Sequence, residues 1–172
     1  MSTKPAGKKV ADTATAGNAI KLLTDDHKEV HALFLKYKKL LDNHAAADDR
    51  QPLAEQICLL LTVHATIEEE IFYPAARAAG VESDLLDEAE VEHASVKDLI
   101  AQIRDMQPAE DFYDAKVTVL GEYVDHHVKE EQDEMFPKCR DASMDLKVVG
   151  TQMAQRKAEL MAEMTEGMEV AH

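Results

Sequence analysis

Ile20, Leu23, Val30, Phe34 and Leu41 recur at spacings of three, four and seven, and this phase predicts a first helix from about Asn18 to His44. The polar run Ala46–Pro52 predicts the turn that closes it, with Pro52 suited to the first turn of a second helix. That helix carries Ile57, Leu60, His64, Ile71 and Ala75 on one stripe, is kinked late by Pro74 and stops near Gly80. Ser83 predicts the N-cap of a third helix bearing Leu86, Ala89, His93, Val96, Ile100 and Ile103, which ends before Pro108. A fourth helix runs from about Glu110 to Arg140 with the stripe Val117, Leu120, Val124, His127, Glu131 and Met135. Polar residues therefore interrupt faces that should otherwise be apolar.

Four long helices joined by short turns predict an all-α fold, an up-down-up-down antiparallel four-helix bundle. Past Ser143, the residues Leu146, Val149, Met153, Leu160 and Met164 predict an additional C-terminal helix that covers the bundle or a partner. The expected organisation is a disordered tail over 1–17, the bundle over 18–141, and a C-terminal amphipathic helix and tail over 142–172.

Composition agrees with helix and sets the scale. At 172 residues and 45% hydrophobic content the chain can bury one substantial core, and it has only 6 glycines and 5 prolines. A net charge of -15 opposes binding to nucleic acid or anionic membranes, which are recognised mainly by neutralising phosphates. Cys58 and Cys139 stand apart without CxxC spacing, as reduced thiols in a cytoplasm do. No apolar stretch reaches bilayer length, and the basic N-terminus lacks the apolar segment of a secretion signal, so a cytoplasmic location is expected.

The polar interruptions carry the chemistry. His64 and Glu68 lie one helical turn apart and project from one face; His127 and Glu131 repeat the geometry, and His27 and His93 add an imidazole from each remaining helix. A single histidine on an apolar face is ordinarily a hydrogen-bonded core residue. Four of them with two carboxylates cost several kcal/mol to bury unless something compensates, and a cation compensates all at once. Imidazole with carboxylate suits iron, zinc or manganese, and the lack of inward thiolates argues against copper(I) and iron–sulfur clusters. Six side chains exceed one tetrahedral zinc and suit two octahedral ions, iron preferred, with bridging carboxylates. The segments HATIEEEIFYP (64–74) and HVKEEQDEMFP (127–137) repeat the pattern His, Glu, aromatic, Pro.

Asp26–His27 followed by V-x-x-L-F, HxxxE before FYP, Glu92–His93, and HxxxE before FP together resemble the hemerythrin HHE cation-binding family over about residues 18 to 140. The resemblance implies a non-haem diiron centre, two Fe ions with an oxo or hydroxo bridge, ligated by His27, His64, Glu68, His93, His127 and Glu131. It also implies oxygen, peroxide or nitric oxide as the small ligand, with peroxide or nitric oxide processing as a conceivable activity. The chain departs from the oxygen carriers at Lys97, where they have a second histidine one turn after the helix-three ligand, and in its last HxxxE, where they have His-to-Asp spacing. Both departures point away from reversible oxygen carriage, toward sensing, storage or detoxification.

Neighbouring residues leave alternatives open. His31 could be a further ligand or a hydrogen-bond partner, and Tyr123 a core aromatic or a neighbour of the ligands. His126 could pair with Glu130, although its distance from Pro137 and the apolar phase favour His127. Glu69, Glu70, Glu130 and Glu134 read as solvated faces, any one of which could orient an imidazole. Rival functions are an iron-sensing or storage module that signals to a protein partner, or forms a dimer, through the last helix, and a purely structural bundle. A ferritin-like ferroxidase would need two ExxH motifs, and only Glu90–His93 has that spacing. No nucleophile motif supports a hydrolase.

Overall fold

The computed structural model of the chain describes residues 17–170, which are helical throughout apart from short turns, with no strand among them. Except for Gly17, the expected N-terminal tail lies outside the described residues. Helix α1 (Ala19–Asp42) starts at Asn18, whose side chain accepts the backbone N–H of Lys21 at 3.0 Å. Helix α2 (Ala47–Ile67) passes through a π turn (Glu68–Phe72) into α3 (Tyr73–Ala78), and α5 (Tyr113–Glu130) passes through a second π turn (Glu131–Met135) into α6 (Phe136–Asp141). Helix α4 (Ser83–Arg104) lies between these two composite rods, and α7 (Leu146–Val170) closes the chain.

Helices α1 and α2, α2 and α4, α4 and α5, and α5 and α1 are neighbours, giving the up-down-up-down bundle; α7 packs on α1, α2 and the first π turn. Two apolar clusters fill the interior. One, with Leu23, Ile67, Phe72, Leu86, Met135 and Met153, includes the π turns and α7; the other, with Val30, Ile57, Leu61, Val96, Leu120 and Val124, lies toward the opposite end. The sequence positions of His27, His64, His93 and His127 fall between residues of the two clusters on every helix, so a polar layer divides the core.

Several sequence expectations shift. Helix α2 begins at Ala47, five residues before Pro52, and Pro52 lies inside it. An exposed proline this near the start removes a bond only to the Asp48 carbonyl, which water reaches, while Asp48 and Asp49 favour the N-terminal dipole. Ser83 is the first helical residue rather than the cap, Glu82 standing at that position without a capping hydrogen bond. The fourth rod begins at Tyr113 because Phe112 takes a left-handed conformation (φ 71°) and Glu110 turns back to accept the N–H of Gln107. The stop at Gly80 is as read: its φ is 89°, and the Val81 N–H reaches back to the Ala76 carbonyl at 3.1 Å.

Close approach of α7 to the start of α1 requires a glycine. A Cβ at Gly150 would lie 2.6 Å from the Ala19 nitrogen and 2.8 Å from the Asn18 carbonyl carbon, against backbone that cannot yield. Gly150→Val is expected to destabilise the protein by about 1–3 kcal/mol and to lower its thermal midpoint by about 2–4 °C per kcal/mol. An unchanged midpoint would show that α7 can shift away at no cost.

Candidate metal centre

Pro74 and Pro137 account for the two π turns. In an uninterrupted α-helix each proline ring would press on the carbonyl four residues earlier, on Glu70 and Asp133, and would leave that carbonyl without its donor. The chain instead widens by one residue, and the N–H groups of Tyr73 and Phe136 bond five residues back, to Glu68 and Glu131. Widening rotates each rod so that residues five apart share a face. Tyr73 thus joins His64 and Glu68, and Phe136 joins His127 and Glu131. The expected kink at Pro74 is therefore a π turn that arms the site.

All six sequence-predicted residues meet in the polar layer, each at least 93% buried. Their inner ring nitrogens come in pairs: His27 Nε2 lies 3.2 Å from His64 Nε2, and His93 Nε2 lies 3.1 Å from His127 Nε2. Glu68 spans the pairs, Oε1 at 3.0 Å from His64 Nε2 and Oε2 at 3.1 Å from His93 Nε2. Glu131 Oε2 lies 3.3 Å from His27 Nε2 and 3.5 Å from His127 Nε2. Adjacent ligand atoms around an octahedral ion with bonds of about 2.1 Å stand about 3 Å apart, the spacing these atoms already hold. The donors form two clusters that share Glu68: His27, His64, Glu68 and Glu131 in one, Glu68, His93 and His127 in the other.

Glu68 Oε1 and both oxygens of Glu131 are buried without a hydrogen-bond partner, an arrangement that costs several kcal/mol unless a cation meets it. Burial works against the His64 imidazolium, yet Glu68, Asp26 and Glu131 outweigh it and hold it up at about 10. At His127 burial is overcome by Glu92 and Glu131, raising it to about 9. Burial also pushes on the Glu68 carboxyl, but His64 and His93 hold it well below the usual range. Glu131 goes the other way, raised by burial and then by the charge of Glu68. The donors thus hold protons where a metal would sit.

Each outer ring nitrogen has its own partner. Asp26 Oδ2 lies 3.2 Å from His64 Nδ1, Glu69 Oε1 2.9 Å from His93 Nδ1, Glu92 Oε2 2.6 Å from His127 Nδ1, and the Gln132 amide 3.1 Å from His27 Nδ1. The three carboxylates accept Nδ1–H, fix their rings and leave Nε2 free to face inward, whereas at His27 the neighbouring atom is the Gln132 amide nitrogen. Asp26 is tied in turn to Lys157 of α7 at 2.5 Å. Of these partners, sequence reasoning offered Glu69 as one of four candidates and missed the roles of Asp26, Glu92 and Gln132. The signal was present in the repeat, since Asp26 and Glu92 each precede a site histidine and Glu69 and Gln132 each follow a site glutamate. Tyr73 was also missed: its hydroxyl lies 3.3 Å from Glu68 Oε2, 3.2 Å from His93 Nε2 and 3.4 Å from His127 Nε2.

The remaining candidates stay outside. His31 is exposed and faces Asp125 at 3.4 Å. His126 is exposed beside Glu130 at 3.1 Å. Tyr123 is 48% exposed and is not a core aromatic. Glu70 pairs with Arg156 of α7 at 2.8 Å. Beside the imidazoles on the side away from Tyr73 and Phe136, a cavity of about 30 Å³ is walled by Val30, Leu61, Ala65, Val96, Val124 and Val128.

Comparison with known proteins agrees with this geometry. The family model for the hemerythrin HHE cation binding domain matches residues 18–139. A crystal structure of a hemerythrin HHE cation binding domain-containing protein from Mycobacterium kansasii, a homolog of Rv2633c, has a similar fold, with a TM-score of 0.74, 23% identity, and coverage of 89% of this chain and 93% of that one. A protein of Nostoc sp. strain PCC 7120 described as a DNA nickase is 31% identical over 119 residues, 67% of this chain; the match spans 32% of that larger protein's length.

Proposed function

The chain belongs to the hemerythrin HHE cation-binding domain family, and from that premise we propose that it is a non-haem diiron protein that binds oxygen, peroxide or nitric oxide. The observation that carries the reading is the set of buried, unpartnered oxygens of Glu68 and Glu131 facing four imidazole Nε2 atoms. His27 and His64 would hold one ion, His93 and His127 the other, with Glu68 and Glu131 shared between them. Iron, once bound, supplies redox chemistry toward a small ligand.

The chain's own residues do the rest. The two carboxylates offset roughly half the charge of two divalent ions inside a low-dielectric core, where a wholly uncompensated ion could not stay. Asp26, Glu69 and Glu92 accept Nδ1–H and keep their rings in the tautomer that presents Nε2; at His27 the Gln132 amide nitrogen lies 3.1 Å from Nδ1, and the amide would do the same only after a flip that exchanges its nitrogen and oxygen. The valine-lined cavity has room for a diatomic molecule and little else, and its apolar wall excludes charged competitors. The Tyr73 hydroxyl is a neutral donor within reach of the inner ring nitrogens of His93 and His127. The net charge of -15 opposes DNA contact, so nicking forms no part of the proposal.

Loading the metal-free protein with ferrous iron without air, then admitting oxygen, peroxide or nitric oxide in turn, tests the reading. Wild type should retain about two irons per chain and develop ferric charge-transfer absorption, and His64→Ala and His127→Ala should each lose it. Folded wild type that retains no iron would overturn the proposal. A second reading, an iron sensor or store that signals through α7, draws support from the chain of contacts Lys157, Asp26, His64. It predicts iron-dependent protease sensitivity of α7 without turnover of any of the three small ligands.

A further inference from the structure

The two halves of the centre are built from one repeated plan. Asp26–His27 on α1 corresponds to Glu92–His93 on α4, and His64, Glu68, Glu69, Tyr73 and Pro74 correspond to His127, Glu131, Gln132, Phe136 and Pro137. Where the plan holds, the halves match: Asp26 backs His64, and Glu92 backs His127. Glu68 gives one oxygen to each half, while Glu131 groups with His27 and His64, its Oε2 at 3.3 Å from His27 and 3.5 Å from His127, so a preference for the other half has to come from the groups behind the rings.

The plan breaks at two positions, and both breaks add a polar group to the same half. Glu69 backs His93 with a carboxylate at 2.9 Å, whereas its counterpart Gln132 backs His27 with a neutral amide at 3.1 Å. Tyr73 places a hydroxyl 3.2 Å from His93 Nε2, whereas its counterpart Phe136 lays a hydrocarbon ring parallel to His27, 6.0 Å between centroids and 4° between planes. Two carboxylates and a hydroxyl therefore attend the His93–His127 half. One carboxylate attends the other half, and Lys157 neutralises it in a partly buried pair. The lysine opposite Glu69, Lys97, is nearly half exposed, and water screens it more strongly.

We infer that the two half-sites are unequal and fill in order, the His93–His127 half first and more tightly, leaving the His27–His64 half with the exchangeable ion. Glu69 and Gln132 are the positioning residues that set the difference. A carboxylate behind an imidazole makes it a better donor to a cation than an amide does, and losing such a partner costs about 10–100-fold in metal affinity. The inference rests on the two-metal reading above.

The test is an anaerobic cobalt(II) titration of the metal-free protein against a chromogenic chelator, in wild type and in variants whose folding is checked by their metal-free melting curves. Wild type should bind two ions in steps separated by about 10–100-fold. Glu69→Gln should weaken the tight step by about 10-fold or more, and Gln132→Glu should strengthen the weak step and draw the two together. The tight step should survive in His27→Ala and vanish in His93→Ala. Two equal steps in wild type, or a tight step that survives in His93→Ala and vanishes in His27→Ala, would overturn the order while leaving the metal centre standing. Failure of folded wild type to bind any ion would overturn both.

Discussion

Replacing Glu131 with leucine should make the metal-free protein more stable and at the same time remove most of the stability that metal adds. Glu131 is 1% exposed, neither of its oxygens has a hydrogen-bond partner, and burial together with the neighbouring Glu68 charge pushes its carboxyl up. Its nearest imidazole contacts, at 3.3 and 3.5 Å, are longer than the roughly 2.7–2.9 Å of a good charge-assisted bond. Glu68, Asp26 and Glu92 still face the His64 and His127 rings after the exchange, so what it relieves is the desolvation of an unsatisfied buried carboxyl, about 1–3 kcal/mol, or several degrees in the melting temperature. In the loaded protein the balance reverses. An ion that binds only the folded state adds about 4 kcal/mol at a thousandfold excess over Kd, and without Glu131 one of the two shared carboxylates is gone. Thermal melts of wild type and Glu131→Leu with and without metal decide the matter. A leucine variant less stable without metal would mean that Glu131 is a structural residue; an undiminished metal-induced shift would mean that it is not a ligand.

The same residue shows how far sequence carries. Its place on the inward face follows from the phase of Val117, Leu120, Val124 and His127, and the helices followed from phases of that kind because burial of an apolar stripe dominates their energetics. What the phase could not give was the change of pitch at Glu68–Phe72 and Glu131–Met135. Helical spacing counts residues at a constant 3.6 per turn, so beyond a π turn it assigns each side chain to the wrong face. Tyr73 was lost for that reason, and Ile71, read on the stripe, proves only partly buried. Asp26, Glu92 and Gln132 were hidden differently: each reaches its histidine across to another helix, and the pairing depends on which helices are neighbours. Helix ends moved where local hydrogen bonds compete closely, as at Glu110 and Phe112.

Metal uptake should depend steeply on pH and in the opposite sense from the stability of the metal-free protein. With His64 held up at about 10 and His127 at about 9, both imidazoles carry protons at neutral pH in the absence of metal, and both must lose them to bind. Loading at pH 7 should therefore release about two protons, and the combined affinity should rise about 100-fold per pH unit until the pH approaches 9. Calorimetry in buffers of different ionisation enthalpy counts those protons; release of fewer than one would show that the imidazoles are neutral before metal arrives. For the metal-free fold the sign is reversed. Both folded-state values lie above the ordinary 6.5, so the stabilisation these imidazolium–carboxylate contacts provide is complete below about pH 6.5 and is lost as pH rises through 9 to 10. Above neutrality the protein thus gives up its internal protons most readily where it binds metal most strongly, and removal of metal at pH 9 should lower the melting temperature more than removal at pH 6.5.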